Sequence, residues 1–181
     1  GIRQSVLWAS IMAPPPPPPL PRLTQRGGFP PSCRPKVDSL MHLHETNSLS
    51  KEERHRLVRT DAGKEYGLVF FRCAKYRKKL IESKKGYQET PEDPSKKQQH
   101  AMDILQYQSC LAAMSCPARF QTFLRCWSFV DPKVARELQE AGLLKHICKP
   151  EREAVERCSG RLASRCFEAA VGESFTDKLM K

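Results

Sequence analysis

A chain of 181 residues with 39% hydrophobic residues, 28% charged residues and 15 prolines is too polar to fill its whole length with one large core. We therefore expect a small folded core with solvated flanks. The net charge of +11 favours anionic partners, namely nucleic acid, an anionic lipid surface or an acidic protein face. The longest apolar run, "GLVFF" at 67–71, is too short for a membrane-spanning helix.

Residues 1–48 are predicted to form an extended, proline-rich arm. The six consecutive prolines at 14–19 favour polyproline II and are incompatible with helix or strand. We interpret the arm as a tail that lies along a neighbour or in solvent, with a ligand for a proline-recognition module as the alternative. The acid-free residues 1–11 have two interpretations: a segment before a true start at Met12, or the remainder of a mitochondrial presequence.

Residues 49–99 are predicted to form a basic helical segment followed by a polar linker. Ser50 and Glu53 have the spacing of a capping box, which predicts that a helix begins here. Gly63 and Gly67 are expected to loosen the chain after that first helix.

Positive charge is concentrated in residues 51–85, which contain 12 Lys and Arg against 5 Asp and Glu. Leu68 and Phe71 are predicted to form the apolar face of a helix here, with cationic residues on the remaining faces. The residues expected to contact an anionic partner are Arg72, Lys75, Arg77, Lys78 and Lys79. We expect that partner to be an acidic protein neighbour, with anionic lipid headgroups and ribosomal RNA as the alternatives.

The proline-containing stretch 86–99 is predicted to be a polar linker, and a further helix is predicted at about 97–114. Residues 100–181 are predicted to contain a helical hairpin followed by a C-terminal tail. No segment shows the alternation of apolar and polar residues that is typical of strands, so the predicted fold class is all-α.

Eight cysteines are many for a chain in a reducing compartment. The stretches "CPARFQTFLRC" at 116–126 and "CKPEREAVERC" at 148–158 each hold nine residues between two cysteines. Ten positions along an α-helix leave the two ends only about 80° apart around the axis, so both cysteines lie on one flank. Two such helices packed antiparallel can match their cysteines end to end. This geometry predicts the disulfides Cys116–Cys158 and Cys126–Cys148.

A thin apolar seam is predicted between these two helices, formed by Phe120, Phe123, Leu124 and Trp127 with Ala154, Val155 and Leu162. Each disulfide typically contributes about 2–4 kcal/mol, which is comparable with the net stability of a small core. A third disulfide between Cys110 and Cys166 could form if the chain bends at residues 115–117. The spacing of Cys33 and Cys73 gives no information on pairing. They form either a disulfide with each other or two thiols.

The doubled C-x9-C spacing resembles the twin-CX9C, or coiled-coil-helix-coiled-coil-helix (CHCH), family of mitochondrial proteins, over about residues 110–170. The resemblance implies an antiparallel, disulfide-linked helical hairpin oxidised in the intermembrane space. It also implies a non-catalytic subunit or assembly factor of a respiratory complex, and some members are mitochondrial ribosome subunits. "CKPEREAVERC" and the "FLRC" ending are similar to the CHCH accessory subunit of complex I. This chain departs from that subunit in having one twin pair where two are usual, and its spacer at 127–147 is long.

No catalytic, cofactor or metal site is predicted. Zinc sites usually gather cysteines at C-x2–4-C spacing and redox enzymes use C-x-x-C, and neither spacing occurs here. Nucleophile motifs and phosphate-binding glycine loops are missing as well. We therefore expect a non-enzyme without cofactor, metal or small-molecule substrate.

The expected partners are the other subunits of a large membrane protein complex, with complex I first and cytochrome oxidase or ATP synthase next. Anionic lipid is a further expected contact. The expected location is the intermembrane-space face of the mitochondrial inner membrane, held peripherally. The alternative is a mitochondrial ribosome subunit that binds rRNA through residues 51–85.

Overall fold

The structure is a computed structural model that describes residues 33–45 and 49–172. The predicted polyproline stretch at 14–19, with the rest of residues 1–32, and the predicted tail at 173–181 lie outside the described residues. The described part contains helices and no strand, which confirms the predicted all-α class there. The helices are α1 (Asp38–Glu45), α2 (Lys51–Val58), α3 (Asp61–Glu89), α4 (Pro94–Ser115), α5 (Pro117–Ser128), α6 (Pro132–Glu140) and α7 (Lys149–Val171), with a 3-10 turn at Leu144–His146 between α6 and α7.

The consecutive helices α3 and α4 pack against each other in opposite directions. The prediction of a polar linker at 86–99 is wrong, because only residues 90–93 between the two helices are non-helical. Asp93 caps α4: its Oδ1 accepts a hydrogen bond from the Ser95 N–H at 2.9 Å, and Pro94 occupies the first turn. This local cap starts the helix three residues before the predicted position.

The predicted capping box at Ser50 is confirmed at the start of α2. Ser50 Oγ accepts a hydrogen bond from the Glu53 N–H at 3.2 Å, and the Ser50 N–H donates to the Glu53 carboxylate at 2.7 Å. Two N–H groups that a helix start leaves without helical partners are satisfied in this way.

The expectation that Gly63 and Gly67 loosen the chain is wrong, because both lie inside α3. Gly63 is in the first turn, where its N–H donates to Thr60 Oγ1 at 3.0 Å. A Cβ atom at Gly63 would lie 1.8 Å from the carbonyl oxygen of Leu57. The glycine therefore permits the close approach of α2 and α3.

Replacing Gly63 by alanine should lower the free energy of unfolding by about 1–3 kcal/mol, because the backbone of α2 must move to admit the methyl group. The matched control is Gly67→Ala, since nothing lies within 4 Å of the Cβ position there. That change should raise the free energy of unfolding by about 0.5–1 kcal/mol through helix propensity. Urea unfolding of the oxidised protein measures the free energy of unfolding of both variants. Equal changes for Gly63→Ala and Gly67→Ala would contradict the packing argument.

The C-terminal helix α7 is the centre of the fold, since it contacts α1, α2, α3, α4 and α5. Its buried stripe follows helical periodicity and consists of Val155, Ser159, Leu162, Cys166 and Ala170, with Ala163 beside it. Ser159 is the polar member of the stripe, and its hydroxyl lies 2.9 Å from the hydroxyl of Ser115 at the end of α4. A hydrogen bond between two buried hydroxyls thus joins α4 and α7.

The described end of the predicted extended arm, residues 33–45, is helical over Asp38–Glu45. It contains α1, which packs on α7, and Val37 and Leu40 are buried there. The Lys36 N–H also donates to the Glu156 carboxylate on α7 at 2.9 Å. The prediction of an extended arm is wrong here, because Val37 and Leu40 are three residues apart and lie on the same side of the chain, where both are buried.

The predicted apolar face of α3 is also wrong. Leu68 is 46% exposed and Phe71 is 80% exposed. The residues of α3 that face the core are Gly63, Val69, Phe70, Cys73 and Leu80. A disulfide between Cys73 and Cys110 of α4 lies on this buried side of α3.

Candidate functional site

Two disulfides join α5 to α7. They are Cys116–Cys158 and Cys126–Cys148, with Cα–Cα distances of 6.1 and 6.0 Å. These are the two pairs that the nine-residue spacing predicts. Because the first cysteine of one helix bonds to the second cysteine of the other, the two helices run in opposite directions.

The space between the two disulfides is filled by apolar side chains. Phe120 and Phe123 of α5 are buried, with ring centroids 6.2 Å apart, and Val155 and Leu162 of α7 are buried as well. The other predicted seam residues, Leu124, Trp127 and Ala154, are partly buried. The seam is thus closed at each end by a covalent bond, which holds α5 and α7 in one register.

The possible disulfide between Cys110 and Cys166 does not form, because Cys110 is bonded to Cys73 with a Cα–Cα distance of 5.8 Å. The same bond excludes a disulfide between Cys33 and Cys73. The chain does bend at Cys116, which ends α4 and begins α5. Cys110, however, lies on the side of α4 that faces α3, so the bend does not bring it to Cys166.

Sequence reasoning missed the Cys73–Cys110 disulfide, although a signal for it exists. Each of these cysteines lies 16 residues from its own end of the turn at 90–93, since α3 ends at Glu89 and α4 begins at Pro94. In two antiparallel helices, residues equally distant from the turn lie side by side. The signal becomes readable only after the linker boundaries are known.

The two remaining cysteines are buried and keep their thiols. Cys33 Sγ donates to the carbonyl oxygen of Leu144 at 3.2 Å, and Cys166 Sγ donates to the carbonyl oxygen of Ala62 at 3.5 Å. Burial raises the pKa of the Cys166 thiol to about 11, and the nearby Arg165 guanidinium opposes this shift. Burial also raises the pKa of Tyr66 to about 12, with the neighbouring Cys166 adding to the effect.

The raised pKa of Cys166 predicts a loss of stability at alkaline pH. Below the ordinary thiol pKa of 9.0 the thiol is protonated in the folded and the unfolded chain, so its ionisation does not change the free energy of unfolding. Between pH 9.0 and about 11 the thiol ionises in the unfolded chain but not in the folded one, so the free energy of unfolding falls. Cys166→Ala should therefore show a shallower decline of the urea midpoint across this range. Identical pH profiles for the two proteins would contradict the assignment.

The spacer between the two C-x9-C segments, residues 127–147, contacts the core through partly buried side chains and one buried side chain. It contains α6, none of whose residues is buried, and the 3-10 turn, whose Leu144 is buried. Asp131 caps α6 by accepting a hydrogen bond from the Lys133 N–H at 2.7 Å. Ala135 and Leu138 of α6 are partly buried against the core, so the spacer is attached along its length as well as at its two ends.

One group of potential metal ligands occurs among the described residues. Cys126, Cys148 and Glu151 have ligand atoms within 4.8 Å of one another. The two sulfurs are bonded to each other, and zinc requires thiolates. In the oxidised protein this group therefore serves as a covalent link between α5 and α7.

The five basic residues predicted to contact an anionic partner do not share one face of α3. Arg72, Lys75 and Lys79 follow one stripe because they are three and four residues apart. Lys75 Nζ lies 4.8 Å from the ring centroid of Tyr76. Arg77 lies on a different side of α3 from this stripe. Lys78 lies between the stripe and Arg77 around the helix axis.

Within residues 33–45 and 49–172, no helix combines the length and the apolar character that a membrane span requires. Comparison of the chain with protein-family models, curated proteins and solved structures gives no match.

Proposed function

We propose that this chain is a non-catalytic structural accessory subunit of a mitochondrial inner-membrane respiratory complex, held on the intermembrane-space side. The observation that carries this proposal is the pairing Cys116–Cys158 and Cys126–Cys148, which joins two C-x9-C helices end to end. This is the arrangement expected of CHCH proteins. The resemblance favours complex I first, then cytochrome oxidase or ATP synthase.

The chemistry of the cysteines supports an oxidising compartment. Three disulfides connect four of the helices, and cytosolic thiol systems keep such cysteines reduced. An oxidising compartment supports the fold, and the resemblance selects the intermembrane space among such compartments.

The proposed role needs no catalytic group, cofactor or metal. Disulfides that close the α5–α7 seam and the α3–α4 pair make a rigid body, and rigid surfaces bind partners at a low entropic cost. The cations of α3, with exposed Phe71 among them, offer a surface for neighbouring subunits and anionic lipid headgroups.

A mitochondrial ribosome subunit is the second candidate function. It is favoured by the exposed ring of Phe71 next to Arg72 and Lys75, because aromatic rings stack on bases while cations contact phosphates. In this alternative the same helix, α3, binds rRNA.

The two functions separate in one fractionation experiment. Mitochondria that carry a tagged copy of the chain are solubilised with a mild detergent, and the particles are sized with and without RNase treatment. We expect the tagged chain to migrate with a large particle that RNase leaves intact and that contains respiratory-chain subunits. Release of the chain by RNase would support the ribosomal alternative, and a tagged chain outside mitochondria would exclude both functions.

A further inference from the structure

A groove runs along one side of α3 and consists of three adjoining depressions with volumes of about 450, 360 and 370 Å³. Phe70 and Arg77 line the first and the second depression, and Arg77 and Ile81 line the second and the third. Leu57 of α2 and Ile104 of α4 belong to the walls at either end. The depressions therefore form one continuous surface, which we call the α3 groove.

The α3 groove has the length and the floor that a helical partner needs. From Gly67 to Lys84 it follows α3 for about 26 Å, which is the length of a partner helix of about 17 residues. The floor is apolar along this path, with Phe70 buried, Ala74 next to it and Ile81 52% exposed. An amphipathic helix binds such a groove through its own apolar face.

The rim of the α3 groove is positively charged. Arg77, Lys78 and Lys84 line it, and Glu82 lies in the middle depression with Arg77 and Lys78. Lys78 and Glu82 lie 4.0 Å apart with both side chains well exposed, so their mutual attraction is weak. The net positive rim is complementary to a partner with acidic residues beside its apolar face.

We infer that the α3 groove binds an acidic amphipathic helix of another protein. The chain's own ends are poor occupants: residues 1–32 contain no Asp or Glu, and residues 173–181 contain two acidic and two basic residues. A second copy carries the same charge of +11 and is repelled. A bilayer presents a flat surface, whereas two of the three depressions are bounded by residues of α2 or α4 beside α3.

This inference rests on the proposed function, since it names the surface through which a structural subunit would dock. The two remain distinguishable because the groove is tested with purified protein and the particle is tested in mitochondria. Failure at the groove leaves co-migration with a respiratory particle untouched, and failure of co-migration leaves peptide binding untouched.

The test uses the full, oxidised chain and a fluorescent synthetic peptide of about 18 residues, with leucines on one helical face and glutamates beside them. A peptide of the same composition in scrambled order has no apolar face and serves as the probe control. Fluorescence anisotropy should detect binding of the first peptide, with an affinity that decreases as salt is added. The scrambled peptide should bind at least about tenfold more weakly, a difference of about 1.4 kcal/mol.

Two pairs of variants locate the binding site. Ile81→Asp and Lys78→Glu alter the α3 groove, and each should weaken peptide binding about tenfold. Val134→Asp and Arg136→Glu make the same chemical changes on the exposed surface of α6, and each should change the affinity less than twofold. All four positions are exposed, and circular dichroism confirms that each variant is folded.

Three results would overturn the inference. Equal binding of the scrambled peptide would show attraction to net charge alone. Equal losses for the α6 and groove variants would place binding elsewhere. Binding of vesicles that contain phosphatidylserine, without binding of the acidic peptide, would assign the surface to lipid.

Discussion

Replacing Cys116 and Cys158 together by alanine should lower the free energy of unfolding by about 3 kcal/mol. The bond closes a covalent ring with Cys126–Cys148, so its loss releases the two nine-residue segments in the unfolded state. Removing Cys126 and Cys148 as well should bring the total loss to about 6 kcal/mol, which is comparable with the whole stability of a small domain. Urea unfolding followed by circular dichroism measures each step.

The control for this series is Cys166→Ala, which removes a buried sulfur without breaking a disulfide. It should cost only about 1 kcal/mol, since the change leaves a small cavity. If the four-cysteine variant unfolded at the same urea concentration as the parent protein, the disulfides would not be what holds α5 against α7. The structural role proposed for them would then lose its basis.

Phe123→Ala should lower the free energy of unfolding by about 3–5 kcal/mol. The side chain is 0% exposed and lies in the seam between the two disulfides, so its removal leaves a large cavity. The disulfides fix the distance between α5 and α7 at both ends, which limits the movement that would otherwise fill the cavity. The midpoint of thermal or urea unfolding of the oxidised protein reports this loss.

The matched control for that substitution is Phe129→Ala at the end of the same helix. Phe129 is 83% exposed, so its removal should change the free energy of unfolding by less than about 0.5 kcal/mol. Similar losses for the two phenylalanines would show that the seam is not a packed core.

The parts of the fold that the sequence predicts correctly depend on local geometry. The nine-residue spacing fixes the side of a helix on which two cysteines lie, whatever else the helix contains. The capping box at Ser50 is likewise a property of four consecutive residues. The disulfides and the start of α2 could therefore be predicted without knowledge of the tertiary contacts.

The errors concern properties that arise between distant segments. Leu68, Val69, Phe70 and Phe71 are consecutive and together surround α3, so periodicity cannot choose the buried side. In the structure α4 packs on the side of α3 that carries Cys73, which is bonded to Cys110. The α3 groove is of the same kind, because its walls combine residues of α2, α3 and α4, whose packing the local sequence pattern does not give.

The spacer at 127–147 lies between two cysteines that are bonded to each other. A protease cut anywhere in it would leave the two fragments joined by Cys126–Cys148 and Cys116–Cys158, so the protein would keep its mass until a reductant was added. Covalent continuity here does not depend on the peptide backbone.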